Sequence, residues 1–255
     1  MADQYKWPIV KKITLDDLND VVVAGIQDFR EAPKFGLCLS LFYAFAGWSL
    51  VFLLWQLGMP FLAYPLAMGF ALLAPFAASA FYAVSDLRER SEVINTEHVY
   101  FALKKAARRD LGWMALVLCF ALILWLEIAA VLTFTVGGIN TFDADYFHKF
   151  FETPSGLALF LLGNTIGALI AFAIFAISVI SFPMLYDRDI DFVTAMVTSV
   201  RLVEKNPVSM LAWCAFIGLI IVLSVMSAFF GLFVLLPIIG PATWHLYRRA
   251  VEPQV

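Results

Sequence analysis

The stretch Arg201–Trp213, RLVEKNPVSMLAW, passes from a charged, helix-patterned segment through Pro207 straight into apolar sequence. Nearly the same transition is spelled at Asp28–Leu37, DFREAPKFGL, and more loosely at Lys104–Trp113, KKAARRDLGW. A residue before proline is pushed out of the helical region, whereas proline itself fits the first turn of the next helix. A chain punctuated at Pro33 and Pro207 in this way can lie flat on a membrane and then turn into it. Three occurrences imply one unit used three times.

The apolar sequence beyond each break is long. With 62% hydrophobic residues, 25 Phe and only 15% charged residues in 255, the composition lies far outside that of a soluble domain. A helix needs about 20 residues to cross the hydrocarbon core. Six stretches qualify, approximately 35–55, 61–84, 113–136, 156–185, 208–225 and 228–247. None alternates as a strand would, so an all-α bundle is expected and not a barrel. The first 34 residues are polar and charged, which predicts no signal peptide.

The segments before the breaks read as amphipathic helices. Leu15, Leu18, Val22, Ile26 and Phe29 recur at spacings of three and four, with Asp16, Asp17, Asp20, Gln27, Asp28 and Glu31 opposite. Thr14 and Asp17 form a capping-box pattern at the start. Residues 191–206 repeat the pattern through Phe192, Met196, Val200 and Val203, with Asp189 or Asp191 as cap. Residues 97–110 do so through Val99, Leu103 and Ala106, and a break is expected at Asp110–Gly112. The expected architecture is a single polytopic domain, 1–255, of three repeats at 13–85, 95–187 and 189–250. Each is an interfacial helix followed by a transmembrane hairpin.

Sixteen of the seventeen Lys and Arg fall on one side of this layout, in the N-terminal segment, the connections after the second and fourth spans, and the C-terminus. Lys149 is the exception. The positive-inside rule therefore places both termini in the cytoplasm. The outer connection 137–155 carries Asp143, Asp145, Glu152 and a lone His148, and is expected to be a short interfacial helix.

The run Ile177–Pro207, ISVISFPMLYDRDIDFVTAMVTSVRLVEKNP, and the ending Leu235–Val251, LLPIIGPATWHLYRRAV, resemble a family of uncharacterised bacterial integral membrane proteins, a domain of unknown function. The resemblance implies six helices in a bacterial inner membrane and no established activity. Two positions depart from it. The family usually carries a second His where this chain has Pro241, so a two-histidine metal or haem site at His245 is not implied here. It commonly carries a basic residue where this chain has Glu127.

Glu127 is the one ionisable side chain well inside a span, where a charge costs roughly 2.5–3.5 kcal/mol on insertion scales. A proton or cation relay with Asn164 and Thr165 would offset that, and so would simple protonation. Gly163 and Gly167 have the spacing that lets helices approach closely, within the bundle or in a homo-oligomer. Trp244, His245, Tyr247, Arg248 and Arg249 make an interfacial anchor. Cys38, Cys119 and Cys214 are scattered through the spans as small hydrophobes, and no zinc, haem or other cofactor motif is present. No nucleophile elbow, phosphate loop or dinucleotide fingerprint points to an enzyme, and Asp187, Asp189 and Asp191 read as helix ends and caps. A net charge of -3 argues against nucleic acid.

Three functional readings follow. The leading one is a non-catalytic scaffold or accessory subunit whose cytoplasmic amphipathic helices dock a protein partner. The second is a small transporter or channel built on Glu127. The third is a membrane enzyme or lipid-handling protein. The lipid bilayer is a partner in all three.

Overall fold

The computed structural model describes residues 7–59, 62–70, 78–106, 109–136 and 152–252. The regular elements among these are helices: α1 Leu15–Glu31, α2 Pro33–Gln56, α3 Ala63–Phe70, α4 Ser79–Glu89, α5 Thr96–Ala106, α6 Arg109–Thr135, α7 Pro154–Ser178, α8 Ser181–Asp187, α9 Phe192–Lys205, α10 Pro207–Met226 and α11 Leu232–Ala250. Among the described residues, four segments are long and apolar enough to span a bilayer: Pro33–Gln56, Asp110–Thr135, Pro154–Asp187 and Pro207–Met226. The chain is an integral membrane protein with several crossings. The second expected span is seen as α3 and α4, with 71–77 outside the described residues. The stretch expected as the sixth span forms α11, which is not among those four and whose apolar run gives way to His245, Arg248 and Arg249. The expected outer interfacial helix lies outside the described residues up to position 151.

Local sequence explains the joints. At α1 the Thr14 side chain accepts from the Asp17 amide and the Asp17 carboxylate accepts from the Thr14 amide, closing the capping box. Asp191, not Asp189, caps α9 by accepting from Thr194. The two proline turns have the same backbone: Ala32 sits at φ -129°, ψ 53° and Asn206 at φ -131°, ψ 54°. Each lies outside the helical region because a proline follows. The break expected at Asp110–Gly112 is absent, and α6 runs through it from Arg109. A glycine inside a helix costs about 1 kcal/mol and does not by itself end one. A break not anticipated falls at Val179–Ile180, where α7 stops and α8 begins. Pro183 cannot donate to the carbonyl four residues back, so the ladder ends there and restarts with proline in its first turn.

The buried faces are rotated from those the apolar spacing predicts. In α1 the buried residues are Leu18, Val21, Gly25 and Asp28, while Leu15 is exposed and Val22, Ile26 and Phe29 are half-buried. In α9 they are Thr194, Ala195, Thr198, Ser199, Leu202 and Val203, with Phe192, Met196 and Val200 half-buried. Small side chains take the deepest positions because the helix axes come close there. A methyl on Gly25 would lie 2.5 Å from the Ile238 carbonyl oxygen and 2.9 Å from the Ala242 amide nitrogen of α11.

The first and last described segments are tied together. Val10 pairs with Val251 in an antiparallel bridge, Lys11 donates its amide to Ala250, and Glu252 donates to Ile9. Asn206, at the second proline joint, completes the clamp: its side chain accepts from the Ile13 amide at 2.7 Å and donates to the Lys11 carbonyl at 3.1 Å. The main core lies at this end of the bundle, around Trp213, Trp244, Phe182, Met184 and Met210, each no more than 1% exposed. We call it the base. Away from the core, α2, α6 and α10 carry exposed Phe42, Phe45, Phe52, Phe120 and Leu223, the surface that lipid tails cover.

Candidate functional site: a charged cluster at the base

Three helices meet at Asp28. The acid lies on the face of α1 turned to α11 and is 1% exposed, which is unusual for a carboxylate unless it is paired. Ser85 donates its hydroxyl to Asp28, and Arg88, one turn further along α4, forms an ion pair with it. From α11, His245 Nε2 lies 3.0 Å from the second Asp28 oxygen. Burial opposes the charge on Asp28. The His245 and Ser85 hydrogen bonds, with the charges of His245 and Arg88, outweigh it and hold the carboxyl below its ordinary value of 3.8.

Arg88 is also forked onto Glu31 at 2.6 and 2.8 Å, so one guanidinium joins two acids a turn apart on α1. Glu89 accepts from the Trp244 indole at 3.1 Å, lies 3.6 Å from His245 Nδ1 and pairs with Arg248 at 3.0 Å. Asp187 accepts from Tyr247 at 2.6 Å and approaches Arg248 at 3.5 Å. Arg188, 7% exposed, donates to the Tyr247 hydroxyl and to the Glu252 carbonyl. Asp86 pairs with Arg90 at 2.9 Å, yet burial outweighs that partner and pushes its carboxyl up. Beside these groups is a polar recess of about 500 Å³ lined by Asp86, Glu89, Arg90, Asp187, Arg188 and Arg248.

The expected anchor residues thus divide. His245 and Arg248 face the cluster, Tyr247 and Trp244 are fully buried donors to it, and Arg249 reaches outward to Asp17 and Asp20 at 2.7 and 2.8 Å. Pro33 and Pro207 stand at the first positions of α2 and α10. Asn164 sits in the bundle, accepting from Tyr64 at 2.9 Å. Thr165 points outward and donates to the Leu161 carbonyl. Gly167 packs on Trp125, whose ring lies 2.8 Å from where its methyl would be, whereas Gly163 faces open space.

Glu127 is exposed, about 200° around α6 from buried Trp125 at 100° per residue. It therefore points away from Asn164. It has no hydrogen bond or ion pair among the described residues. Glu127→Gln is expected to shift the free energy of unfolding by less than about 0.5 kcal/mol, read as the thermal midpoint in detergent. A loss of about 1.5 kcal/mol would require a partner for Glu127 that the bundle does not supply.

Sequence spacing alone did not single out Asp28, Ser85, Arg88 or Glu89. The signal was there in part: 18, 21, 25 and 28 follow a three-and-four spacing once glycine and aspartate are allowed on the buried face.

Residues 63–187 match the family described as predicted integral membrane protein (DUF2189). Over that segment, just under half of the chain, it is similar to this family. The matched part contains Ser85, Arg88, Glu89 and Asp187 of the cluster, and only the first part of the Ile177–Pro207 run; Asp28 and His245 lie outside it. No curated protein and no solved structure matches the chain.

Proposed function

We propose that this protein is a non-catalytic scaffold or accessory subunit of a bacterial inner-membrane complex, with six spans and both termini cytoplasmic. The observation that carries the reading is the state of the charges at the base. Asp28, Glu31, Glu89 and Asp187 are joined to Arg88, Arg248 and each other's neighbours across α1, α4, α8 and α11, an arrangement that holds four segments in one fixed face. The equal number of crossings in each direction is supported by the bridge between Val10 and Val251, which requires both to lie on one side of the bilayer. The threefold repeat is supported by the matching backbone at Ala32 and Asn206 and by the order of a short helix before each hairpin.

The apolar faces of α1 and α9 are spent on the bundle, so docking falls to their outward polar faces, where Asp16, Gln27 and Glu31 of α1 are exposed. With Asp20 also exposed on α1, its outward carboxylates favour a basic protein surface over anionic lipid. Native mass spectrometry of the tagged protein, extracted gently from its own membrane, is expected to show a stoichiometric protein partner that Asp16→Lys with Gln27→Lys releases without unfolding the bundle. A lone protomer in both preparations would overturn the reading.

A further inference from the structure

Between α7 on one side and α10 and α11 on the other runs a cavity of about 620 Å³, lined almost throughout by apolar side chains and open along part of its length. Its α7 wall extends from Leu159 to Ser178, about 28 Å at 1.5 Å per residue. An extended hydrocarbon chain fits that length and that lining.

Most of its polar groups are already paired. Thr133, Asn164, Ser178, Ser224 and Thr243 line it, and each donates to the carbonyl four residues back in its own helix. The Trp125 indole donates to the Pro65 carbonyl and the Tyr64 hydroxyl to Asn164. With most of the donors along the cleft engaged in this way, a polar ligand gains little replacement for the water it loses. A cavity so lined does not hold ordered water either. The two walls are cut back by glycine: a methyl added at Gly163 of α7 or at Gly218 of α10 would meet nothing within 4 Å. Glycine here is not serving close helix contact. It leaves room.

We propose that this cleft is a binding site for an acyl chain of a membrane phospholipid, entering from the bilayer between α7 and α10. The site lies at the depth where lipid tails are the solvent, and exchange needs no path through water. What favours the bound chain over a free one is contact with a fixed protein wall on most sides, a packing gain and not a hydrophobic one.

The test uses the full-length protein in vesicles of phosphatidylethanolamine and phosphatidylglycerol, with a phosphatidylethanolamine bearing a diazirine in its acyl chain as probe. After transfer into detergent, which strips bulk lipid, crosslinks are expected to persist on the cleft-facing positions of α7 and α10 and to fade on outward Leu161, Leu169 and Leu219. Native mass spectrometry is expected to show one retained phospholipid, lost at least tenfold in the Gly163→Leu, Gly218→Leu double variant, which fills the cleft. Crosslinks spread evenly around the helices would overturn the proposal. So would equal phospholipid retention by the folded double variant, or retention of a molecule without acyl chains. Should the double variant fail to fold, the crosslink map of the unaltered protein decides alone.

Discussion

Gly25→Leu is expected to lower the thermal midpoint by roughly 6–12 °C in detergent. The reason is the closeness of α1 to α11. The atoms that a side chain at position 25 would meet, the Ile238 oxygen and the Ala242 nitrogen, belong to the backbone, and neither can rotate away. The helices must separate. Overpacking of this kind costs about 3 kcal/mol, and each kcal/mol moves the midpoint of a chain this size by about 2–4 °C. Removing a glycine from mid-helix returns up to about 1 kcal/mol in propensity, which is the smaller effect. Gly163→Leu, in open space, should show the propensity gain alone and serves as the contrast. A Gly25→Leu midpoint within 2 °C of the parent would mean that α1 and α11 are not in close contact.

Asp28→Ala is expected to cost about 3 kcal/mol, the low end of what breaking a buried ion pair costs, because Arg88 keeps Glu31 and His245 keeps Glu89 as neighbours. The pH dependence separates this from a simple loss of packing. The Asp28 carboxyl is held below 3.8 in the folded protein, so its contribution is fully present above 3.8 and is lost as pH falls through the lower, folded value. Asp86 has the opposite sign. Its carboxyl is raised by burial, so the folded state gains from its protonated form, and that gain disappears as pH rises through the folded value. Midpoints of the parent and of Asp28→Asn, measured across this acid range, should converge toward the acid end and separate near neutrality. Parallel curves would show that Asp28 contributes shape and not charge.

Much of the architecture could be read from the residues. The capping box at Thr14, the proline joints at 33 and 207, and the long apolar runs are local signals, each decided by neighbours within four positions. The orientation of α1 and α9 could not be read in the same way. Apolar spacing ranks faces by hydrophobicity, but in a membrane protein the lipid competes for the large apolar side chains and leaves glycine, alanine, serine and threonine to the closest helix contacts. Hence Gly25 and Ala195 are buried while Leu15 is exposed. The cluster was harder still. Asp28, Arg88 and His245 are separated by 60 and 157 positions, and each taken singly looks like an ordinary interfacial charge. Glu127 misled for the converse reason: an acid within an apolar run marks depth, not the face of the helix it occupies.

The pairing of α1 with α11 sets an order of events during synthesis. His245 follows Asp28 by 217 residues. At 5–20 residues per second the ribosome needs about 10–45 s to deliver it. Throughout that interval α4 can already hold Asp28 through Ser85 and Arg88, while Gly25 still lacks the backbone it packs on. A chain halted before Leu232 has the charged half of the α1 contact and not the close-packed half.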